Sequence, residues 1–318
     1  MKHALTALVL AATSVVLIGA QAGTLPSYQK VSGVSGSLTS VGSDTMNNMM
    51  TLWAETYRKF YPNVKIQVEG KGSGTAPPAL IAGTSQFGPM SRQMKPAEFD
   101  AFEAKRGYKP TELKTSYDAL AVYVNEDNPI KSLTLAQVEA VFGKTRARGY
   151  KENVTTWGQL GLTGDWAKRP ISLYGRNSAS GTYGFFKEHV LKNGDYKDTV
   201  KEQPGSASVV QGVTEDRFGM GYSGIGYKTS GVRVVPLSES ATSSPSDGSY
   251  EDVKSGKYAL WRFLYIYINK APGKALDPIV GEFVKLIFSK EGQDVVVKDG
   301  YMPLTDVQCQ QELNKLNK

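Results

Sequence analysis

The chain has 318 residues and carries 37 lysines and arginines against 30 aspartates and glutamates, which gives a net charge of +7. A chain of this length usually folds into two lobes or domains rather than one. Basic and acidic residues are mixed along the chain, and only the 144–148 segment is a compact basic patch, which argues against a nucleic-acid-binding protein. The single cysteine, Cys309, excludes an intrachain disulfide.

The first element in chain order is a predicted signal peptide over residues 1–22. Lys2 precedes an apolar run over residues 4–20, which ends in the small-residue pattern Ala20-Gln21-Ala22, as in the leaders of exported proteins. No cysteine follows this run, so a lipid anchor is not predicted. No later segment approaches the roughly 20 apolar residues of a membrane-spanning helix. We therefore expect a periplasmic or secreted protein.

Strand and helix patterns alternate along the rest of the chain, which predicts an α/β architecture with mainly parallel sheets. Residues 64–68 alternate at period two, as in a strand, and residues 119–124 and 264–268 are predicted as buried strands. The Ser-rich stretch over residues 238–250 is predicted as a surface loop. Large apolar side chains at helical spacing, predicted to pack in a core, are Met46, Met49, Met50, Trp53, Tyr57 and Phe60.

Three segments share one pattern, in which small, polar or glycine residues lead directly into a predicted helix. They are Gly42-Ser43-Asp44-Thr45, Gly70-Lys71-Gly72-Ser73-Gly74-Thr75 and Ser180-Gly181-Thr182. The first amides of a helix have no partner within the helix and the helix dipole is positive there, so an anion is stabilised at this end. Serine and threonine hydroxyls add donors, and glycine permits a close approach. Each segment alone also matches an ordinary helix cap.

Arg176 strengthens the interpretation of the third segment as an anion site. It lies four residues before Ser180, and its guanidinium offers a planar fork of donors that matches two oxygens of a phosphate. A surface ion pair would be the ordinary alternative for an isolated arginine. The three segments together with Arg176 predict a site for a tetrahedral oxyanion, with phosphate as the expected ligand.

Five motifs, in the order GSDTM, GKGSGTAPPAL, FGPMSRQMK, GRNSASGTYGFF and GMGYSGIGY, resemble those of the type II periplasmic phosphate-binding proteins that feed phosphate ABC importers. The resemblance spans residues 38–304. It implies a two-lobed α/β fold with a two-stranded hinge and an ABC permease in the inner membrane as partner, and we expect a monomer. The expected lobes are residues 23–117 plus 260–318 and residues 118–259, with hinge strands near 117–124 and 261–268.

The resemblance also implies which residues bind the ligand. Thr45 and Met46 would donate from the first loop, largely through backbone amides, and Ser73 from the glycine-rich turn. Arg176 and the 180–182 segment would contribute from the second lobe. With their neighbours, the predicted ligand-binding residues are Ser43, Asp44, Thr45, Met46, Ser73, Ser91, Arg92, Arg176, Ser180, Gly181 and Thr182.

Two positions depart from the family pattern. Ser91 stands where many members carry an aspartate that accepts the proton of monohydrogen phosphate and repels sulfate, whereas a hydroxyl supplies no such repulsion. Asp44 is the alternative carboxylate, although the sequence favours a helix cap for it at least as much. Ser178 stands where other members place an aspartate that pairs with the arginine, so Arg176 is expected to be less restrained. A broader oxyanion binder of the sulfate type therefore stays as the alternative.

A secreted phosphatase is the competing class, and the sequence provides little for it. Beyond the leader, His189 is the only histidine, and we expect it to be buried as a packing or capping group rather than a base. Metal-ligand spacings and a nucleophile elbow are absent, and the P-loop-like FGKT at 142–145 has Val138 where the first glycine belongs. We therefore predict no enzymatic activity, no metal and no cofactor, and an additional adhesive or structural role outside the cell stays open.

Overall fold

The computed structural model describes residues 25–317, so the predicted signal peptide lies outside the described residues. The strands are β1 (Ser37–Val41), β2 (Lys65–Glu69), β3 (Phe87–Met90), β4 (Thr111–Asn125), β5 (Leu133–Thr134), β6 (Ser172–Arg176), β7 (Val200–Gln203), β8 (Gly219–Gly224), β9 (Val232–Val234), β10 (Leu237–Ser238) and β11 (Trp261–Ile268). The helices are α1 (Asn47–Phe60), α2 (Ala76–Ala82), α3 (Pro96–Arg106), α4 (Leu135–Phe142), α5 (Gly181–His189), α6 (Ser206–Glu215), α7 (Tyr250–Lys254), α8 (Pro278–Ile287), α9 (Lys290–Lys298) and α10 (Asp306–Asn314). None of the helices between residues 25 and 317 is long and apolar enough to cross a membrane.

One mixed sheet runs through the molecule in the order β2-β1-β3-β11-β4-β8-β6-β7, with β9 also paired to β4. Strand β1 lies parallel between β2 and β3, and β6 lies parallel between β8 and β7. The antiparallel pair β4 and β11 joins these two parallel groups. Parallel strands alternating with helices confirm the predicted α/β architecture.

The 15-residue strand β4 belongs to both halves of the sheet. Its first part, Thr111 to Ala119, pairs with β11, and its second part, Leu120 to Val124, pairs with β8. We call the half built on β1, β2 and β3 the first lobe, and the half built on β6, β7 and β8 the second lobe. The two-lobed fold with a two-stranded hinge is thereby confirmed.

The predicted apolar stripe of α1 packs in the core. Met49, Met50, Trp53 and Tyr57 are fully buried, and Phe60 is partly buried against the same cluster. Trp53 Nε1 donates to a backbone carbonyl at the start of α9 at 2.8 Å, which satisfies the one polar atom of its ring. The packing holds α1 firmly, so its N-terminus has a fixed position at the edge of the sheet.

The Ser-rich stretch is a surface loop over most of its predicted length. Residues 239–245 are exposed between β10 and α7, as predicted. Ser246 is buried instead, because its Oγ donates to Asp252 Oδ2 at 2.5 Å and its backbone pairs with Leu237. The amino-acid composition of the stretch does not reveal such a hydrogen bond, so the burial of Ser246 could not be predicted.

Candidate oxyanion-binding site

The predicted loops lie at the carboxyl ends of parallel strands, where the two lobes meet. The loop after β1 contains the 3-10 turn Asp44–Met46 before α1, and the loop after β2 contains the 3-10 turn Ser73–Thr75 before α2. Ser91 directly follows β3, and Ser180 precedes α5 in the connection from β6. In open α/β sheets this crevice is the usual position of a ligand.

The first loop has a backbone fixed from several sides. Ser43 N donates to the Pro89 carbonyl at 2.7 Å, and Met46 N donates back to the Ser43 carbonyl at 3.3 Å. The Tyr301 hydroxyl donates to the Thr45 carbonyl at 2.9 Å. The loop therefore presents the Thr45 side chain from a backbone that is already ordered.

Hydroxyl groups from both lobes come together in the crevice. Thr45 Oγ1 of the first lobe lies 2.9 Å from Thr182 Oγ1 of the second. Ser73 Oγ accepts from Ser91 N at 3.0 Å and lies 3.3 Å from Ser91 Oγ. All four side chains are buried, at 1% exposure or less. Four buried hydroxyls in one place can offer hydrogens to a common acceptor.

The N-terminus of α5 is inserted between the lobes. Ser180 caps this helix, and its Oγ accepts from Thr182 N at 3.1 Å and from Tyr183 N at 3.3 Å. Gly181 is the first helical residue, and a Cβ added there would lie 2.6 Å from Ser91 Oγ and closer still to Ser73 Oγ. Glycine is required because no side chain fits where the helix end meets the first lobe.

The helices α1 and α2 begin differently from the ordinary caps that their sequences suggest. Their N-cap residues, Met46 and Thr75, make no side-chain capping bond. For Asp44 the sequence allowed either a charge role at the ligand or a helix cap. Its Oδ2 accepts from Ser206 N at 2.8 Å, so it caps α6 of the other lobe. Asp44 therefore has the capping role that the sequence allowed, but it caps α6 rather than α1, the helix that follows it in the chain.

Arg176 is held more tightly than predicted. Its Nη2 lies 3.1 Å from Asp44 Oδ2, its Nη1 donates to Ser206 Oγ at 2.6 Å, and Nη2 donates to the Pro204 carbonyl at 3.3 Å. The expectation that Ser178 leaves Arg176 less restrained is wrong, because a carboxylate from the other lobe replaces the missing one. Burial lowers the pKa of Arg176 and Asp44 opposes this shift, so the guanidinium stays charged. Its Nε is buried with no hydrogen-bond partner.

The sequence analysis missed a second buried arginine at the crevice. Arg262 on β11 lies directly opposite Asp118 on β4 in the antiparallel ladder. Its Nε and Nη2 both donate to Asp118 Oδ2, at 2.9 and 2.7 Å. Nη2 also donates to Thr182 Oγ1 at 2.9 Å, and Nη1 donates to the Ser91 carbonyl at 2.7 Å. A lone arginine in the apolar strand WRFLYIYI was the signal available in the sequence.

Arg92, a predicted ligand residue, lies at the rim of the crevice and outside the hydroxyl cluster. Its Nη1 and Nη2 donate to the two carboxylate oxygens of Glu98, each at 2.7 Å. A cleft of about 700 Å³ between the lobes extends from Arg92 inward to Ser180 and Arg262. Arg92 therefore flanks the approach to the cluster with its charge already neutralised.

Two features of the second lobe bear on the competing function classes. His189 is exposed, so the expectation that it is buried is wrong, whereas its ring packs against that of Phe185 with centroids 4.1 Å apart, as expected for a packing group. In the 144–148 patch, Lys144 pairs with Asp198 at 2.7 Å and Arg148 Nε donates to a backbone carbonyl after α5 at 2.9 Å. Within residues 25–317, no three His, Cys, Asp or Glu side chains are grouped to hold a metal ion.

Comparison with known sequences relates most of the chain to binding proteins. A family model described as the PBP superfamily domain matches residues 28–291. The phosphate-binding protein PstS of Pseudomonas aeruginosa is 59% identical over 280 residues, which cover 88% of this chain and 87% of PstS. PstS of Staphylococcus epidermidis is 28% identical over 284 residues, which cover 87% of this chain and 82% of that protein.

Solved structures agree with these sequence relationships. A proposed phosphate ABC transporter substrate-binding protein from Clostridium perfringens, solved with bound phosphate, superimposes with a TM-score of 0.69 at 25% identity and covers 84% of this chain and 99% of its own. An ABC-type phosphate transport receptor from Vibrio cholerae, at 22% identity, has the same fold, with a TM-score of 0.62 over 84% of this chain and 100% of its own.

Proposed function

This chain belongs to the PBP superfamily and, within it, to the type II periplasmic phosphate-binding proteins, and we propose that it captures inorganic phosphate between its lobes and delivers it to an ABC-type importer. One observation carries the proposal. The N-terminus of α5 from the second lobe packs against three buried hydroxyls of the first lobe: Gly181 lies against those of Ser73 and Ser91, and the Thr182 hydroxyl lies against that of Thr45. Amide and hydroxyl donors converging from both lobes suit a small tetrahedral oxyanion.

The charges around the cluster favour an anion that is held by oriented donors. Arg176 is paired with Asp44, and Arg262 is paired with Asp118, so these four formal charges cancel. Attraction for the ligand then comes from the helix dipole and from N–H and O–H groups. We assign the Nε of Arg176 to the ligand, because a buried donor without a partner costs roughly 1–3 kcal/mol.

Binding requires both lobes because the anion must lose its water. Hydrogen bonds to a charged group contribute roughly 1.5–3 kcal/mol each, and several are needed to offset dehydration and the ordering of the lobes. We place the lobe boundaries after residues 117 and 259, since β4 and β11 carry the chain between the lobes. Closure on the ligand is then a population shift that reports occupancy to a partner.

Delivery to a membrane importer follows from the relatives of the chain. PstS of P. aeruginosa shares 59% of the aligned residues, and the C. perfringens relative is described as an ABC transporter component. The predicted leader over residues 1–22 agrees with a location outside the cytoplasm. We therefore infer a monomeric periplasmic protein whose partner is an ABC permease of the inner membrane, and no nucleic acid.

We infer that phosphate is bound and released unchanged, without metal or cofactor. A hydrolase needs a general base beside its nucleophile. Here the hydroxyls of Ser73, Ser180 and Thr182 have N–H donors as partners, which fix them without removing their protons. The nearby carboxylates of Asp44 and Asp118 are each paired with an arginine.

A broader oxyanion binder is the second candidate, and one observation favours it. Ser91 is neutral, 3.3 Å from Ser73, and both carboxylates at the crevice are already paired. The cluster therefore lacks a free negative charge that would repel sulfate.

Titration calorimetry with phosphate and with sulfate, at pH 6 and pH 8, tests both candidates. The mature protein is first stripped of bound ligand by unfolding and refolding. Phosphate binding without a sulfate signal is the expected result. Comparable binding of both anions would favour the broader oxyanion binder, and binding of neither would reject the proposed function.

A further inference from the structure

Arg262 and Asp118 form a buried ion pair within the hinge. They face each other across β11 and β4, and their side chains are 3% and 0% exposed. Two N–H groups of Arg262 converge on one oxygen, Asp118 Oδ2, and the other oxygen accepts from Ile225 N at 3.2 Å. Desolvating two charges is costly and stabilises the fold little by itself. A role at the neighbouring site gives a reason for the pair.

The remaining bonds of Arg262 join the ligand loops of the two lobes. Nη1 donates to the Ser91 carbonyl of the first lobe at 2.7 Å. Nη2 donates to Thr182 Oγ1 of the second lobe at 2.9 Å. One guanidinium on a hinge strand therefore contacts both sides of the hydroxyl cluster, and Asp118 holds it in this orientation.

Hydrogen-bond polarity at Thr182 follows from the chemistry of the guanidinium. Arginine can only donate, so Thr182 Oγ1 must accept from it. The single hydrogen of the Thr182 hydroxyl is then available for another acceptor, such as Thr45 Oγ1 at 2.9 Å or a ligand oxygen. Ser180 and Ser73 are constrained in the same way, because each Oγ accepts from backbone N–H groups.

We propose that Arg262, oriented by Asp118, is a positioning residue that fixes the Thr182 hydroxyl as a donor to the bound oxyanion. The site then prefers an oxyanion that presents an unprotonated oxygen to Thr182. This inference rests on the proposed function and adds a specificity element on the two hinge strands, which connect the lobes. It also makes the hinge strands part of the site rather than only a connection.

A double-mutant cycle between Arg262 and Thr182, with phosphate affinity measured by calorimetry, tests the inference. Arg262→Lys keeps the charge opposite Asp118 but cannot reach all three acceptors, and Thr182→Val removes the hydroxyl at nearly constant volume. We expect phosphate affinity to fall about 10-fold in Arg262→Lys and about 30-fold in Thr182→Val. The double variant should bind phosphate no more than about 30-fold more weakly than the wild type. The effects of the two substitutions on phosphate affinity are expected to be coupled, because each one removes the Thr182 hydroxyl as an oriented donor.

Two control variants and the wild-type protein make the outcome decisive. Thr182→Ser keeps the hydroxyl and should keep the full effect of Arg262→Lys. Arg233→Lys alters an arginine of the second lobe that donates to the carbonyls of Asn128 and Ile130, and it should leave phosphate affinity unchanged. Additive losses in correctly folded variants would overturn the inference alone. A wild-type protein that does not bind phosphate would overturn the proposed function and the inference together.

Discussion

Arg176 carries the strongest single-residue prediction. Arg176→Ala removes a guanidinium with an unpartnered Nε and leaves Asp44 without its counter-charge beside the ligand. We expect phosphate affinity to fall at least about 100-fold, equivalent to about 2.7 kcal/mol. Arg92→Ala is the comparison at the rim, where it leaves Glu98 without its partner outside the hydroxyl cluster; solvent screening there limits the expected change in affinity to less than about threefold. Calorimetry decides the question, and near-wild-type binding by Arg176→Ala would remove Arg176 from the site.

Asp299 gives a prediction for pH and stability. Burial raises the pKa of this carboxyl from 3.8 to about 6, Asn48 donates to Oδ1, and Oδ2 is buried without a partner. Because the folded-state pKa is the higher one, the folded chain binds the proton more tightly. The contribution of Asp299 to stability is therefore complete below pH 3.8 and is lost as the pH rises to about 6.

Asp299→Asn removes this pH dependence. The amide oxygen can still accept from Asn48, so we expect thermal unfolding at pH 7.5 to show stabilisation on the order of 2 kcal/mol, which disappears near pH 4. Asp198→Asn, at an exposed position, is the control and should show no such trend. An equal gain at both pH values for Asp299→Asn would contradict the assignment.

Single residues differ in how far the sequence could place them. Ser180 and Gly181 were found because a cap and a helix-opening glycine are local signals within a few positions. The partners of the buried charges were missed, since Asp118 and Arg262 are 144 residues apart and only the strand register brings them together. Opposite charges in two apolar strands are a usable signal only once the pairing of those strands is known.

Helix α5 is the element on which the site depends most directly. In Gly181→Ala, the new methyl would lie 2.6 Å from Ser91 Oγ, so the helix end must withdraw from the first lobe. We expect phosphate affinity to fall at least about tenfold, since the donors of the two lobes no longer converge. Gly184→Ala lies in the same helix and meets only Arg92 Cδ at 3.7 Å, so it should leave the affinity unchanged. Similar losses in both variants would point to helix α5 in general rather than to this contact.

Helices and strands were predicted well where their apolar residues follow a regular period, and less well where polar and apolar residues are mixed without one. The buried stripe of α1 and the apolar part of β4 follow directly from periodicity. Strand β4 begins earlier, at Thr111, because its first residues are held by pairing with β11 rather than by apolar character. The 3-10 turns that precede α1 and α2 were not predicted, because the sequence pattern indicated only that a helix follows each segment.

At the scale of the whole molecule, exchange of ligand requires the lobes to separate. Gly74 N donates to the Ala179 carbonyl across the crevice at 3.0 Å, and a Cβ at residue 74 would lie 3.8 Å from Ala179 Cα. The two backbones therefore come close enough here for a cross-link between residues 74 and 179 to hold the lobes together. We expect Gly74→Cys combined with Ala179→Cys to trap phosphate when oxidised and to release it when reduced.

Exchange of labelled phosphate, measured before and after reduction, checks this prediction. The native Cys309 is buried and should not compete for the new thiols. Each single variant should exchange phosphate at the wild-type rate under both conditions. Fast exchange by the oxidised double variant would mean that phosphate escapes without separation of the lobes at this point.

The pairing of β4 with β11 is irregular at one point of the hinge. The register with β11 shifts between Leu264 and Tyr265, which leaves Thr115 as an extra residue on β4. The Thr115 hydroxyl donates to the Leu264 carbonyl at 3.1 Å, and Gln293 donates to the Thr115 carbonyl at 3.3 Å, so this irregular point is clamped. A bulge increases the local twist of a strand. Because these bonds fix the ribbon at Thr115, we expect the lobes to turn about the part of β4 and β11 beyond this point when they separate.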